Sequence, residues 1–169
     1  MSNTFLIADT HFGHANILTF KKGDGTPLRP SFANIHEHDE YLIYVWNLTV
    51  KQSDKVYHLG DVGFKNFSAL SRVLDRLNGT KVLIKGNHDG FKLSQYAQNF
   101  KDVRASHQLD KFLLTHIPIH PDSLSRWRGN IHGHMHSYTL PDDRYINVSV
   151  EQLDDYAPID FESIRERYK

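Results

Sequence analysis

The chain of 169 residues contains no cysteine, which excludes both a disulfide framework and any thiolate metal site. A thiol-free chain suits a reducing compartment, and a cytoplasmic protein is the expectation. Net charge is absent too: 20 basic residues balance 20 acidic ones. A protein that coats nucleic acid or an anionic membrane carries an excess of one sign. Long apolar runs are missing. No stretch approaches the roughly 20 apolar residues of a membrane span. The short run Phe5-Leu6-Ile7-Ala8 has no basic segment before it, so it reads neither as a signal peptide nor as an anchor. There is no internal repeat, low-complexity tract or linker, and one domain spanning residues 1–169, without a cap domain, is expected. What the chain has in quantity is histidine, 12 in all.

Apolar runs and turn residues order the chain. Residues 4–8 read as a strand ending at Asp9, and residues 15–20 as a short helix. Residues 21–31 hold Gly and Pro and form a loop. Asn34 is placed to cap a helix from Ile35 to about Val50, with Leu42, Val45 and Trp46 near helical spacing. A strand over 55–59 follows, then a helix opening at Asn66 or Ser68 and striped by Leu70, Val73, Leu74 and Leu77. Asn78-Gly79 ends that helix ahead of a strand over 81–84. Strand, helix and strand in this order predict parallel pairing. A short helix over 93–100 comes next. Later strands are brief: 103–104, 106–109 and 111–115 with a hairpin turn at Asp110, then 130–132 and 145–150. Asp160 is placed to cap a last helix over 161–168. A parallel α/β half followed by a β-rich half predicts two sheets packed together with helices outside.

The histidines gather at the ends of these strands. Asp9-Thr10-His11 follows the first, Gly60-Asp61 the second and Gly86-Asn87-His88-Asp89 the third. His116 follows residues 112–115, and Gly133-His134-Met135-His136 follows residues 130–132. Asp9 with His11, and His134 with His136, stand two residues apart, a spacing that puts both side chains on one side of a strand end. Asp61 adds a carboxylate able to bridge two cations, and Asn87 a neutral oxygen. Nitrogen and oxygen donors without sulfur suit Mn²⁺, Fe, Zn²⁺, Ni²⁺ or Co²⁺ better than Ca²⁺ or Mg²⁺. Any one of these pairs is weak evidence; the whole series at successive strand ends points to one metal site.

This series resembles that of the calcineurin-like metallophosphoesterases, in particular the small single-domain members of bacteria and phages, over Phe5 to Val148. The resemblance implies a four-layer αββα sandwich of two mixed β-sheets flanked by helices. It implies two divalent ions, Mn²⁺ first among those named above. Asp9, His11 and His136 would hold one, Asn87, His116 and His134 the other, and Asp61 would bridge them. The implied activity is hydrolysis of a phosphodiester or nucleotide-type phosphate ester, with hydroxide generated between the metals attacking phosphorus. His88 would face the phosphate as acid or charge stabiliser, Asp89 would orient its ring by a hydrogen bond, and His14 would also reach the phosphate.

Two other readings compete. A metal-dependent nuclease on DNA or RNA is disfavoured by the neutral charge and by the lack of an appended nucleic-acid module. A non-catalytic binding protein on the same fold is disfavoured by the complete ligand set. His58 and His132 read as hydrogen-bonded supports, and His36, His38, His107 and His120 as solvated or rim residues. Trp46 and Asn47 read as packing, and Lys21, Lys22 and Arg29 as a solvated loop face. Trp127, between Arg126 and Arg128, reads as an edge plug of the core or, second, as a stacking platform.

Overall fold

The computed structural model describes residues 2–64 and 66–168. A five-stranded sheet has the order β4-β3-β2-β1-β9. Its strands are β1 (Thr4–Ile7), β2 (Lys55–His58), β3 (Thr80–Ile84), β4 (Asp102–Arg104) and β9 (Ile159–Asp160). β1 to β4 run parallel, and β9 closes the edge antiparallel to β1. The second sheet, in the order β5-β6-β7-β8, contains β5 (His107–Leu109), β6 (Phe112–Leu114), β7 (Gly129–His132) and β8 (Tyr145–Asn147). β5 and β6 form the predicted hairpin, with Asp110 at φ 52° in its turn, and β6, β7 and β8 are parallel.

Alternation along the first sheet divides the apolar side chains between two cores. Phe5, Ile7, Val56 and Leu83 point to α1 (Ile35–Thr49) and α2 (Phe67–Leu74), where they meet Leu42, Trp46, Leu70 and Leu74. Leu6, Ala8, Tyr57, Leu59, Val82 and Ile84 point the other way, onto Phe112, Leu114 and Ile131 of the second sheet. α4 (Phe161–Arg167) sends Phe161 and Ile164 into this inter-sheet core. On the far face of the second sheet, the 3₁₀ helix Pro121–Arg126 and the chain before it are tied down by Ile119, whose N–H donates to Asn130 Oδ1 (3.0 Å) and whose carbonyl accepts from Tyr145 Oη (2.6 Å). The architecture is therefore the expected one: two mixed sheets face to face, flanked by helices.

The helix starts are as predicted. Asn34 Oδ1 accepts from Glu37 N, Asn66 Oδ1 from Ala69 N and Asp160 Oδ1 from Glu162 N, each satisfying a first-turn donor. Helix ends are less well foreseen. α2 stops at Leu74 rather than at Asn78-Gly79, and α3 (Leu93–Tyr96) is a single turn rather than residues 93–100. The helix expected over 15–20 is the 3₁₀ segment Ala15–Leu18. β9 was not foreseen; two residues carry no period to read.

Trp46 and Asn47 pack, as expected. The Trp46 ring is 1% exposed and its Nε1 donates to Asn78 O, while the Asn47 amide bonds to Arg76 O and Asn78 N. Trp127 is half-buried beside exposed Arg126. Among the described residues, no helix is long and apolar enough to cross a membrane. Trp46→Ala leaves a large cavity and an unpaired carbonyl at the junction of α1 with the first sheet. It is expected to cost about 3–5 kcal/mol and to lower the melting temperature by about 10 °C, read by calorimetry.

Candidate metal centre

The centre lies where β1, β2 and β3 end, beside the ends of β6 and β7. A seam between the sheets assembles it. Ala8 N donates to Val148 O (2.8 Å) and Val150 N to Ala8 O (3.1 Å), so the chain leaving β8 runs alongside the end of β1. That brings Ser149 and Glu151 to Asp9. β2 and β3 approach more closely than side chains allow: a β-carbon at Gly60, whose φ is +93°, would stand 2.6 Å from Gly86 Cα and from His116 Nδ1. One at Gly86 would fall on the Asp61 carboxylate. Glycine at both positions is a steric requirement of the site.

Two groups of donors face one another. Asp9, His11 and His136 form one, and Asp61, His116 and His134 the other, the ligand atoms within each lying within 4.8 Å of one another. Asp61 Oδ2 stands between them, 3.9 Å from His11 Nε2 and 3.3 Å from His116 Nε2. Asn87 Oδ1 joins the second group at 2.8 Å from His116 Nε2 and 3.0 Å from His134 Nδ1. All seven predicted ligands therefore converge. They do so by a route that strand spacing did not foresee. Asp9, His11, Asp61, His134 and His136 all have left-handed φ, between 49° and 67°. Thr10, between Asp9 and His11, turns to His58 instead. Non-glycine residues seldom adopt this conformation outside turns such as that at Asp110, and a cluster of five is a feature of functional sites.

The polar atoms fit a bound cation. Asp9 Oδ1 and both ring nitrogens of His11 are buried without a hydrogen-bond partner, an unfavourable state that a coordinated ion would relieve. His116 Nδ1 donates to Leu59 O (2.7 Å). A neutral His116 ring therefore turns its Nε2 lone pair toward the Asn87 and Asp61 oxygens. Lone pairs at such distances require a proton or a cation between them. His136 is held in the same manner: its Nδ1 lies 3.0 Å from Glu151 Oε1, leaving Nε2 toward Asp9. Burial pushes the Asp9 carboxyl up to about 6, against the nearby His136 and His116.

Several assignments change. Asp89 does not orient the His88 ring among the described hydrogen bonds. Its buried carboxylate accepts from the backbone N–H groups of Gly86 (2.7 Å), Asp61 (2.9 Å) and Val62 (3.0 Å), and from Tyr96 Oη (3.4 Å). It is a tie between the β2 and β3 loops; burial raises its pKa in spite of these bonds. His88 is exposed, its ring 5.3 Å from Phe64 and 6.1 Å from His11, with its backbone N–H on Asp61 Oδ1 (2.8 Å). The half-buried His14 ring stacks on Phe64 at 4.0 Å and lies 5.4 Å from His11; burial lowers its pKa.

His58 is the support it was expected to be. Gly60 N donates to its Nδ1, so its Nε2–H faces Thr10 Oγ1 (2.9 Å), and Thr10 passes the chain to Val62 O (2.8 Å). His132 is buried on the far face of the second sheet near Tyr145, outside both donor groups.

Arg29 and His38 are not solvated; both are fully buried. Arg29 donates to the carbonyls of Asp9 and Thr10 and pairs with Glu151 at 2.7 Å. His38 joins Arg29 (2.7 Å) to Asp39 (2.8 Å), and Asp39 accepts from Gly13 N (2.9 Å). Sequence reasoning missed this network and Ser149, whose Oγ donates to Asp9 Oδ2 (2.8 Å). The one available signal was the Pro-flanked Arg29 beside a capped helix.

Fold and site together define a two-sheet α/β protein with two candidate metal groups at its strand ends. No protein-family profile matches the chain. It is 37% identical over 173 residues to the uncharacterized protein MJ1445 of Methanocaldococcus jannaschii, covering 97% of this chain and 90% of that one. It is 30% identical over 172 residues to the gene 66 protein of Mycobacterium phage L5, covering 81% and 79%. The chain belongs to one family with these two proteins. Its fold is shared with the solved structure of AQ665 from Aquifex aeolicus, a protein of unknown function, at a TM-score of 0.71 and 25% identity over 99% and 100% of the two chains.

Burial opposes ionisation of Glu151, but Arg29 and His136 hold its carboxyl down at about 2, against the ordinary 4.5. A depressed carboxylate stabilises the fold above the unfolded pKa, and that contribution is lost as pH falls from about 4.5 to about 2. Glu151→Gln leaves the buried Arg29 without its counter-ion. It is expected to destabilise by about 3–5 kcal/mol at neutral pH, with the gap to the parent protein closing below about pH 4.5 in parallel thermal melts.

Proposed function

We propose that this protein is a phosphoesterase of the calcineurin-like type that holds two divalent cations and hydrolyses a phosphodiester or nucleotide-type phosphate ester. The observation that carries this reading is the pair of donor groups facing one another across Asp61, with one carboxylate oxygen turned to both. On this reading Asp9, His11 and His136 hold one cation, Asn87, His116 and His134 the second, and Asp61 both. The donor chemistry, nitrogen and oxygen without sulfur, suits Mn²⁺ first, with Fe, Zn²⁺, Ni²⁺ or Co²⁺ as alternatives. Such a pair supplies Lewis acidity toward a phosphoryl group and acidifies water.

The chain's own residues supply the rest. His88 is exposed beside the donors and fixed at its backbone to Asp61. From there its ring can donate a hydrogen bond to a phosphoryl oxygen or a proton to the departing oxygen, the larger contribution when that oxygen is a poor leaving group. His14, its pKa lowered by burial and its ring braced by Phe64, stands on the same side and offers a second hydrogen bond. Asp89 acts at a distance by holding the β2 and β3 loops in register.

Protein stripped with a chelator and reloaded with Mn²⁺ is expected to cleave aryl phosphate mono- or diesters and nucleotides. His88→Asn is expected to retain both ions by elemental analysis and to lose about 10²-fold or more in kcat. Unchanged turnover would remove His88 from the chemistry. A metal-loaded protein inert toward every mono- and diester tried would refute the phosphoesterase assignment itself.

A further inference from the structure

A cleft of about 410 Å³ opens directly beside His134 and His136. Phe20 and Tyr138 line it with Leu28 and Met135, and Lys21 is also among the lining residues. Phe20 is 45% exposed and Tyr138 56% exposed. Exposed aromatic rings cost hydration free energy, and two in one cleft next to a polar centre mark a binding surface rather than scattered apolar side chains.

Both rings are positioned. Phe20 meets His14 edge-on at 5.8 Å, and His14 in turn stacks on Phe64 beside His11, so Phe20 is the outer end of an aromatic row that starts at the metal ligands. Tyr138 follows the ligand-bearing turn, its N–H bonded to Met135 O and its carbonyl held by Asn147 Nδ2. Its hydroxyl rests against Gly23, where a β-carbon would come within 2.9 Å of it. The loop over 21–31 thereby meets the turn after β7 beside the cleft. A volume near 400 Å³ suits a small-molecule group. The two aromatic residues in its lining favour a flat occupant, and Lys21 complements an anionic one.

Building on the phosphoesterase reading, we infer that this cleft receives the base of a nucleotide, stacked on Phe20 and Tyr138 while the phosphate lies on the metal-ligand side. The substrate class is then a phosphate ester of a nucleoside. Aliphatic phosphate esters leave both rings unused. Aromatic stacking of a base is sequence-tolerant and worth enough to change affinity by tenfold or more.

The test compares adenosine 5′-monophosphate with ribose 5-phosphate, which carries a hydroxyl in place of the base, on Zn²⁺-loaded protein titrated by ligand-observed NMR. The nucleotide is expected to bind at least tenfold more tightly. Phe20→Ala and Tyr138→Ala should each weaken the nucleotide about tenfold and leave ribose 5-phosphate unchanged, with metal content retained. Tyr138→Leu, which keeps apolar bulk, should fold as the parent and still lose nucleotide affinity. Equal affinity for the two ligands, no saturable nucleotide binding, or nucleotide affinity indifferent to all three variants would overturn the inference. Turnover is scored separately on the same proteins. Hydrolysis without preference for the base refutes the cleft and leaves the phosphoesterase. Base-dependent binding with no hydrolysis of any ester supports the cleft and refutes the phosphoesterase.

Discussion

A carboxylate taken out of water must be given donors or a cation, or it gives up its charge. The centre of this protein holds four buried acids, and the surrounding structure follows from how each is satisfied. Asp89 takes three backbone N–H groups and so locks two loops together. Glu151 takes Arg29 and His136. Asp9 has donors on one oxygen only, from Ser149 and the His134 backbone, and Asp61 has a backbone donor on its Oδ1. The remaining oxygens, Asp9 Oδ1 and Asp61 Oδ2, are turned toward imidazole nitrogens. Asp89 is occupied by the protein through both oxygens and Glu151 through Oε1, while Asp9 and Asp61 each turn one oxygen to the centre.

The same division explains the strained backbone. Left-handed φ at a non-glycine residue costs on the order of 1 kcal/mol, and five of the seven candidate ligands carry it. Cooperative ties hold them there. Arg29 bonds the carbonyls of Asp9 and Thr10, Asp89 the N–H of Asp61, and Asp9 Oδ2 accepts from His134 N. These bonds act on the backbone of the ligand loops, so they place the side chains without using up the ligand atoms. A rigid set of donors loses little entropy on binding an ion, which is the advantage of fixing it in advance.

What was legible in the sequence was local. Capping residues Asn34, Asn66 and Asp160 announce helix starts because their oxygens bond within three residues. The convergence of the candidate donors was legible because metal-binding residue types stand at the ends of apolar runs, and a parallel sheet gathers its strand ends on one side. The supporting network was illegible for the opposite reason. Arg29 and Glu151 are separated by 122 positions, and Ser149 and Asp9 by 140. An Arg in a Pro- and Gly-containing loop looks like a solvated one until the fold closes over it. His38 was misread likewise, since one histidine in the first turns of a helix gives no sign that a guanidinium lies across from it. Asp89 was misjudged through adjacency: it follows His88 in sequence, yet the loop turns its carboxylate inward to the backbone.

Arg29 shows most clearly how the loop and the centre depend on one another. Its guanidinium is buried only because Glu151 neutralises it and three further acceptors, Asp9 O, Thr10 O and the His38 ring, take its remaining donors. Each of those acceptors belongs to a segment that borders the centre. Arg29 therefore anchors the end of the loop over 21–31, whose other end begins at Phe20 and lies against Tyr138 through Gly23. The loop that shapes the aromatic cleft and the strand end that carries Asp9 and His11 are thus joined by one side chain. A disturbance at Glu151 reaches both through the same charge, whereas one at Asp89 is confined to the β2 and β3 ends. The two buried acids support different parts of the site, and the cleft belongs to the half held by Arg29.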